Sequence, residues 1–209
     1  MEKFLQKLAF EIAQKQTEGL RRTCIVFPNR RASLYFRHHF ARCFDKPVWL
    51  PELFSLEDFV MKHSGLASAD QLWMLIKLYK IQQELPGVTK QSFREFYSWG
   101  NMLLSDFDEL QQNRKNGEYV FLSLDEIKAL KNRNLGQGEL TEFEKNYLLF
   151  FRSIAPCYTK FNQYLIKSHK AYFGLAFDHL LSNIKVEQFE DYNRVIFAGF
   201  NALTGAEKE

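Results

Sequence analysis

The chain has 209 residues, 46% of them hydrophobic and 16% aromatic, with a net charge of +3. This is enough apolar material for one large domain or two small ones, and it argues against disorder over most of the length. The charge is uneven: residues 1–42 hold nine Lys/Arg against three Asp/Glu, while the remainder is slightly acidic. A basic N-terminal part permits an anionic partner such as nucleic acid, although a solvated face would have the same composition. Three widely spaced cysteines, Cys24, Cys43 and Cys157, form no CxxC pair or disulfide framework. They fit a reduced, cytoplasmic chain. No stretch approaches the roughly 18 apolar residues of a membrane span.

In chain order, Phe4, Leu5, Leu8, Ile12 and Ala13 recur at helical spacing, so residues 2–18 are expected to form a helix that Gly19 stops. "TCIVF" is short and apolar, as expected of a strand covered on both faces of a parallel sheet. Pro28 ends it and Asn29 is placed to cap a helix whose apolar face is Ala32, Tyr35, Phe36, His39 and Phe40. "PVWLPELFS" suits a second short strand at a sheet edge. Ser55, with Asp58 three residues on, suits the N-cap of the helix "LEDFVMKH".

The pattern is then helical to about residue 185, with breaks expected at 85–89, 113–118 and 132–140. Thr141 is a further expected cap. "RVIFAGF" at 194–200 is expected to be a second fully apolar strand, and Thr204 with Glu207 opens a capping box. A helix that starts so close to the last residue suggests a piece of a longer protein. The expected fold class is therefore α/β. Residues 1–55 and 191–209 would contribute to one parallel sheet, and 56–190 would be an all-helical insertion.

Chemistry is mostly excluded by what the motifs lack. A nucleotide-hydrolysing loop needs Gly-x-x-x-x-Gly-Lys-Ser/Thr after a strand, so that backbone N–H groups and a lysine can surround the phosphates. Here Pro28-Asn29-Arg30-Arg31 follows the strand, without glycine or lysine, and the second strand ends in Ala198-Gly199 without acids for Mg²⁺. Glu126 and Lys128 have a nuclease-like spacing, but alternate residues of a helix do not face one another. Asp106 and Glu109 read as a solvated or arginine-paired face, and adjacent His38 and His39 make a poor chelate. No Gly-x-Ser-x-Gly elbow occurs. No cofactor and no catalytic or metal-binding residues are expected. Asn29, Arg30 and Arg31, with Arg37 within two turns, are left at a predicted helix N-terminus, where anions are favoured. Phosphate contact and simple solvation both remain open for them.

"IVFPNRRASLYF", "WGNMLLSDFDEL", "AYFGLAF" and "VIFAGFNALTGAE" occur in that order. Together they resemble the N-terminal region of the B subunit of AddAB-type helicase–nucleases and the related RecC-like subunits, bacterial proteins of the PD-(D/E)XK nuclease family. The resemblance covers nearly the whole chain. It implies a partial superfamily 1 helicase-like (P-loop NTPase-like) sheet, its ATPase motifs lost, interrupted by a helical subdomain, with a nuclease domain far downstream. It also implies a role in DNA repair and recombination at double-strand breaks. The partners would be DNA, single-stranded or a duplex end, and a helicase motor subunit. Asn29, Arg30 and Arg31 match the turn that meets single-stranded DNA. Gly199, Phe200 and Asn201 match the loop after the strand that carries Mg²⁺-binding acids in an active motor. Trp99, Gly100, Asp106 and Phe107 match the helical subdomain as packing residues, Asp106 as an arginine partner. A scaffold that touches the motor or nuclease but no DNA is the alternative expectation.

Overall fold

The computed structural model describes residues 2–15, 19–86, 88, 90–115, 117, 120–121, 142–201 and 203–208. Thr141, Glu126, Lys128 and the 132–140 break lie outside them. The described residues fall into two compact units, 1–64 with 180–203, and 65–179 with 204–209.

The first unit holds a three-stranded parallel sheet. It is built from β1 (Thr23–Phe27), β2 (Glu52–Ser55) and β5 (Arg194–Phe197), in the order β2-β1-β5. Cys24, Ile25, Val26 and Phe27 stand opposite Glu52, Leu53, Phe54 and Ser55. On the other side Thr23, Cys24, Ile25 and Val26 stand opposite Arg194, Val195, Ile196 and Phe197. The two apolar segments, far apart in sequence, are thus hydrogen-bonded neighbours, and the α/β class is as expected.

Alternation along β1 sends successive side chains to opposite faces. Ile25 and Phe27 join Leu5, Ala9 and Ile12 of α1 (Glu2–Lys15) and Ala32, Phe36 and Phe40 of α2 (Arg30–Ala41) in one buried cluster. Cys24 and Val26 take the other face, which α3 (Leu56–Ser64) covers through Phe59 and Val60. Phe59 meets Phe54 of β2 and Phe197 of β5 at 6.0 and 5.8 Å between ring centres. All five β1 residues are buried, as a doubly covered central strand requires.

β5 departs from expectation. It ends at Phe197 rather than 200, and none of its four residues is fully buried. Its apolar composition resembles that of β1, but it is an edge strand, so one side lacks a covering neighbour. The expected edge position of β2 is observed. The helix α3 belongs to this unit, not to the helical one, because it packs directly on β2 and β1.

The second unit contains α4 (Gln71–Gln83), α5 (Phe93–Gln112), α6 (Glu142–Lys167) and most of α7 (Phe173–Ser182). Asp70 caps α4, and Ser92 with Glu95 forms a reciprocal capping box on α5. Two short strands that helical periodicity did not foretell, β3 (Ala67–Ser68) and β4 (Lys170–Ala171), pair in parallel. Gly100 and Phe107 lie in the α5 core as expected. The Trp99 ring packs edge-on to Phe96 and Phe150. Asp106 is exposed, as the solvated reading of that face expects, rather than packed, and has no arginine partner among the described residues; partial burial, then Glu109, raises its carboxyl pKa. Asp108, two residues on and roughly on the opposite side of the helix, accepts a hydrogen bond from the Gly174 backbone N–H at the start of α7. Thr204 and Glu207 make both bonds of the expected capping box, at 2.7 and 3.4 Å.

Phe36 is fully buried, 5.4 Å from Phe27 and 5.5 Å from Phe40 between ring centres. Phe36→Ala is expected to lower unfolding free energy by about 3–5 kcal/mol, the range for large-to-small core changes. Phe36→Leu should recover most of that loss in urea titrations, and equal losses in both variants would contradict the packing described.

Candidate nucleic-acid interface

In parallel α/β sheets ligands bind beyond the carboxyl ends of the strands. Three chain segments emerge there: Pro28-Asn29-Arg30 from β1, Ser55 to Asp58 from β2, and Ala198 to Asn201 from β5. The Ala198 N–H still donates to the Val26 carbonyl at 2.9 Å, so the ladder runs one residue past β5. Gly199 then turns away at φ 84, a left-handed conformation that favours glycine. A Cβ there would stand 3.6 Å from the Phe4 ring and 3.8 Å from Pro28. The two loops singled out in the sequence, 28–31 and 199–201, are therefore adjacent.

Asn29 caps α2 as its position implies: its Oδ1 accepts from the Ala32 N–H at 3.0 Å. This uses one of the N–H groups that an anion would otherwise reach. Arg30 is also engaged. Its Nε and Nη2 donate to the two oxygens of Asp58 at 2.9 and 2.6 Å, a bidentate pair. Asp58 in turn accepts from the Ser55 hydroxyl at 2.6 Å, while the Ser55 oxygen accepts from the Asp58 N–H at 3.2 Å. So Ser55 caps α3 as expected, and the Asp58 carboxylate both bonds its cap hydroxyl and reaches across to Arg30 of α2. Arg30 hydrogen bonding, followed by that of Ser55, holds the Asp58 carboxyl below its ordinary value.

Arg31 and Arg37 are exposed, and among the described residues neither is paired with a carboxylate. The helical period places Arg30, Leu34 and Arg37 on one stripe of α2, and Arg31, Tyr35, His38 and Arg42 on the next. Leu34 is 61% and Tyr35 50% exposed, so the outer face of α2 mixes arginines with bare apolar surface. Tyr35, expected on the buried side, lies outside it. His39 is buried and His38 exposed.

Arg21 and Arg22 are not part of this face. They precede β1, about 16 Å from its other end at the usual rise per residue. Arg22 donates to the Glu190 and Asp191 carbonyls, and the Arg21 guanidinium lies 4.1 Å from the centre of the Trp49 ring.

A polar group that no local pattern marks is built around Lys62 of α3. Lys62 donates to Glu52 at 3.0 Å and to the Tyr192 hydroxyl at 2.9 Å, and that hydroxyl donates to Glu52 at 2.7 Å. It joins α3, β2 and the approach to β5, and residues ten and 130 apart leave no local pattern to read. Burial pushes the nearby Cys24 thiol up to about 12, which disfavours its thiolate. Among the described residues, no group of three or more His, Cys, Asp or Glu is placed to hold a metal ion, and no helix is long and apolar enough to cross a membrane.

Compared with known proteins, the chain matches no family model and no curated sequence.

The Arg30–Asp58 pair has a pH signature. Because the folded state depresses the Asp58 pKa, its stabilisation is complete above the unfolded value near 4 and is lost as pH falls through the folded value. The stability difference between wild type and Asp58→Asn, from urea titrations, should therefore be largest at pH 7 and shrink towards pH 2. A difference that does not change with pH would contradict the pairing.

Proposed function

We propose that the sheet unit is a helicase-like domain without motor chemistry, and that it binds or positions DNA within a helicase–nuclease of double-strand-break repair. The observation that carries this reading is the arginine-bearing outer face of α2, which starts at the carboxyl end of the central strand. Arg31 and Arg37 lie there without carboxylate partners among the described residues, beside the exposed ring of Tyr35. Arginines track a phosphate backbone and an aromatic ring stacks on bases, a combination suited to single strands. The parallel pairing of Thr23–Val26 with all four residues of β5 fits the sheet that the motif order implies. Pro28-Asn29-Arg30-Arg31 offers no glycine-rich backbone for a nucleotide, which favours recognition over hydrolysis.

Within this reading Arg30 is a reserve rather than a free contact, since Asp58 holds it. Asp58 thus restrains the affinity of the turn.

The rival is a scaffold that docks on a motor subunit or a nuclease domain without touching DNA. What favours it is exposed apolar surface in the same unit: Trp49 is 65%, Val186 83% and Phe197 58% exposed.

Titration of a labelled single-stranded oligonucleotide, followed by anisotropy at several salt concentrations, separates the two. Binding is expected at low salt, and Arg31→Gln/Arg37→Gln should weaken it and reduce the slope of log K against log salt by about 1.4, at about 0.7 per phosphate contact. Asp58→Asn, which releases Arg30, should strengthen it. Absence of binding at low salt, or indifference to the arginine pair, would leave the scaffold reading in place.

A further inference from the structure

The helical unit contains a second cluster of cations and rings that plays no part in the reading above. The Trp73 and Tyr164 rings, from α4 and α6, lie 6.0 Å apart with 32° between their planes. The Lys170 ammonium is 4.3 Å from the centre of the Trp73 ring. The Lys77 ammonium is 5.8 Å from Trp73 and 5.4 Å from Tyr164. Lys77 and Ser168 both act on the Tyr164 phenol.

These groups are held in place rather than merely close. Lys170 begins β4, where the flanking His169 carbonyl accepts from the Ala67 N–H and the Ala171 carbonyl from the Ala69 N–H, both at 3.0 Å. Alternation buries Ala171 and turns Lys170 outward onto the indole. Lys77 lies one helical turn from Trp73 and leans over the same ring. Among the described residues neither lysine pairs with a carboxylate. The nearest acidic side chain in sequence, Asp70, accepts from the Trp73 N–H as the cap of α4.

Two ammonium groups lie against one indole, and among the described residues neither is within 4.0 Å of a carboxylate. Hydrogen bonding from Lys77 lowers the Tyr164 pKa, the same positive field acting on a phenol. An anion seated against Lys77 and Lys170 would be attracted by both charges and could accept from the Ser168 and Tyr164 hydroxyls. Exposed Leu72 and Ile76, 54% and 37% accessible, add apolar surface on the same helix. Phosphate beside a planar apolar ring is the chemistry of a nucleotide unit in a single strand.

We propose that Trp73, Lys77, Tyr164, Ser168 and Lys170 form a contact site for single-stranded nucleic acid, with a phosphate between the lysines and a base against the ring pair. The proposal rests on the DNA-binding reading of the chain but assigns it a second, separate surface.

The test is tryptophan emission of the whole chain during titration with oligothymidylate at low salt. Quenching is expected in wild type and should be lost in Trp73→Phe. Lys77→Gln/Lys170→Gln should bind three- to tenfold more weakly, with a salt slope smaller by about 1.4. Wild-type affinity and slope in the lysine double variant would overturn the proposal. If Arg31→Gln/Arg37→Gln still weakens binding in that case, the reading of the sheet unit stands alone. If neither double variant changes binding, both readings fall. Polyglutamate that quenches Trp73 as oligothymidylate does would also overturn it, and would point to an acidic protein partner.

Discussion

The sheet unit depends on one strand being hydrogen-bonded on both sides and covered on both faces. β1 supplies five consecutive buried residues and pairs with β2 and β5 at once. Its backbone polar groups are satisfied only while both neighbours are present, and each of its faces needs its own helix layer. That constraint brings residues 52–55 and 194–197 to the same strand. It also fixes where the three loops at the carboxyl end emerge. Without it, the turn at 28–31 and the bend at Gly199 would have no reason to meet.

What stands at that end is electrostatically more balanced than a count of arginines suggests. In a nucleotide-binding sheet, the first helix offers free N–H groups to a phosphate. Here Asn29 takes one of them and Asp58 neutralises Arg30. The pair ties the start of α2 to the start of α3, so its role is first structural, clamping the two helices that follow adjacent strands. Net positive charge is displaced outward along α2, to Arg31 and Arg37. A polymer that runs along a helix suits this arrangement better than a compact triphosphate held in a loop.

Much of this architecture was legible in the sequence because its signals are local. "TCIVF" reads as a doubly covered strand since four apolar residues follow Thr23 without a polar interruption, and Asn29, Ser55 and Thr204 announce their caps within three residues. The edge character of β5 was hidden, because an apolar run looks the same whether one or two neighbours cover it. The position of α3 in the sheet unit was hidden too, since a helical pattern does not say what the helix packs on. Tyr35 was misplaced because the buried stripe of α2 is narrower than its apolar residues imply. The contacts that alter the site, Arg30 with Asp58 and Lys62 with Glu52 and Tyr192, join residues with no sequence relation. The same is true of Trp73 and Tyr164, which only the packing of two helices brings together.

The central claim is that the carboxyl end of this sheet meets a nucleic-acid strand and not a nucleotide. Amide hydrogen exchange of the chain, with and without a single-stranded oligonucleotide and separately with Mg²⁺ and ATP, tests it most directly. The expected result is slower exchange in residues 28–38 and 198–201 with the oligonucleotide and no change there with ATP. Slower exchange in those segments with ATP, or none with the oligonucleotide, would contradict it.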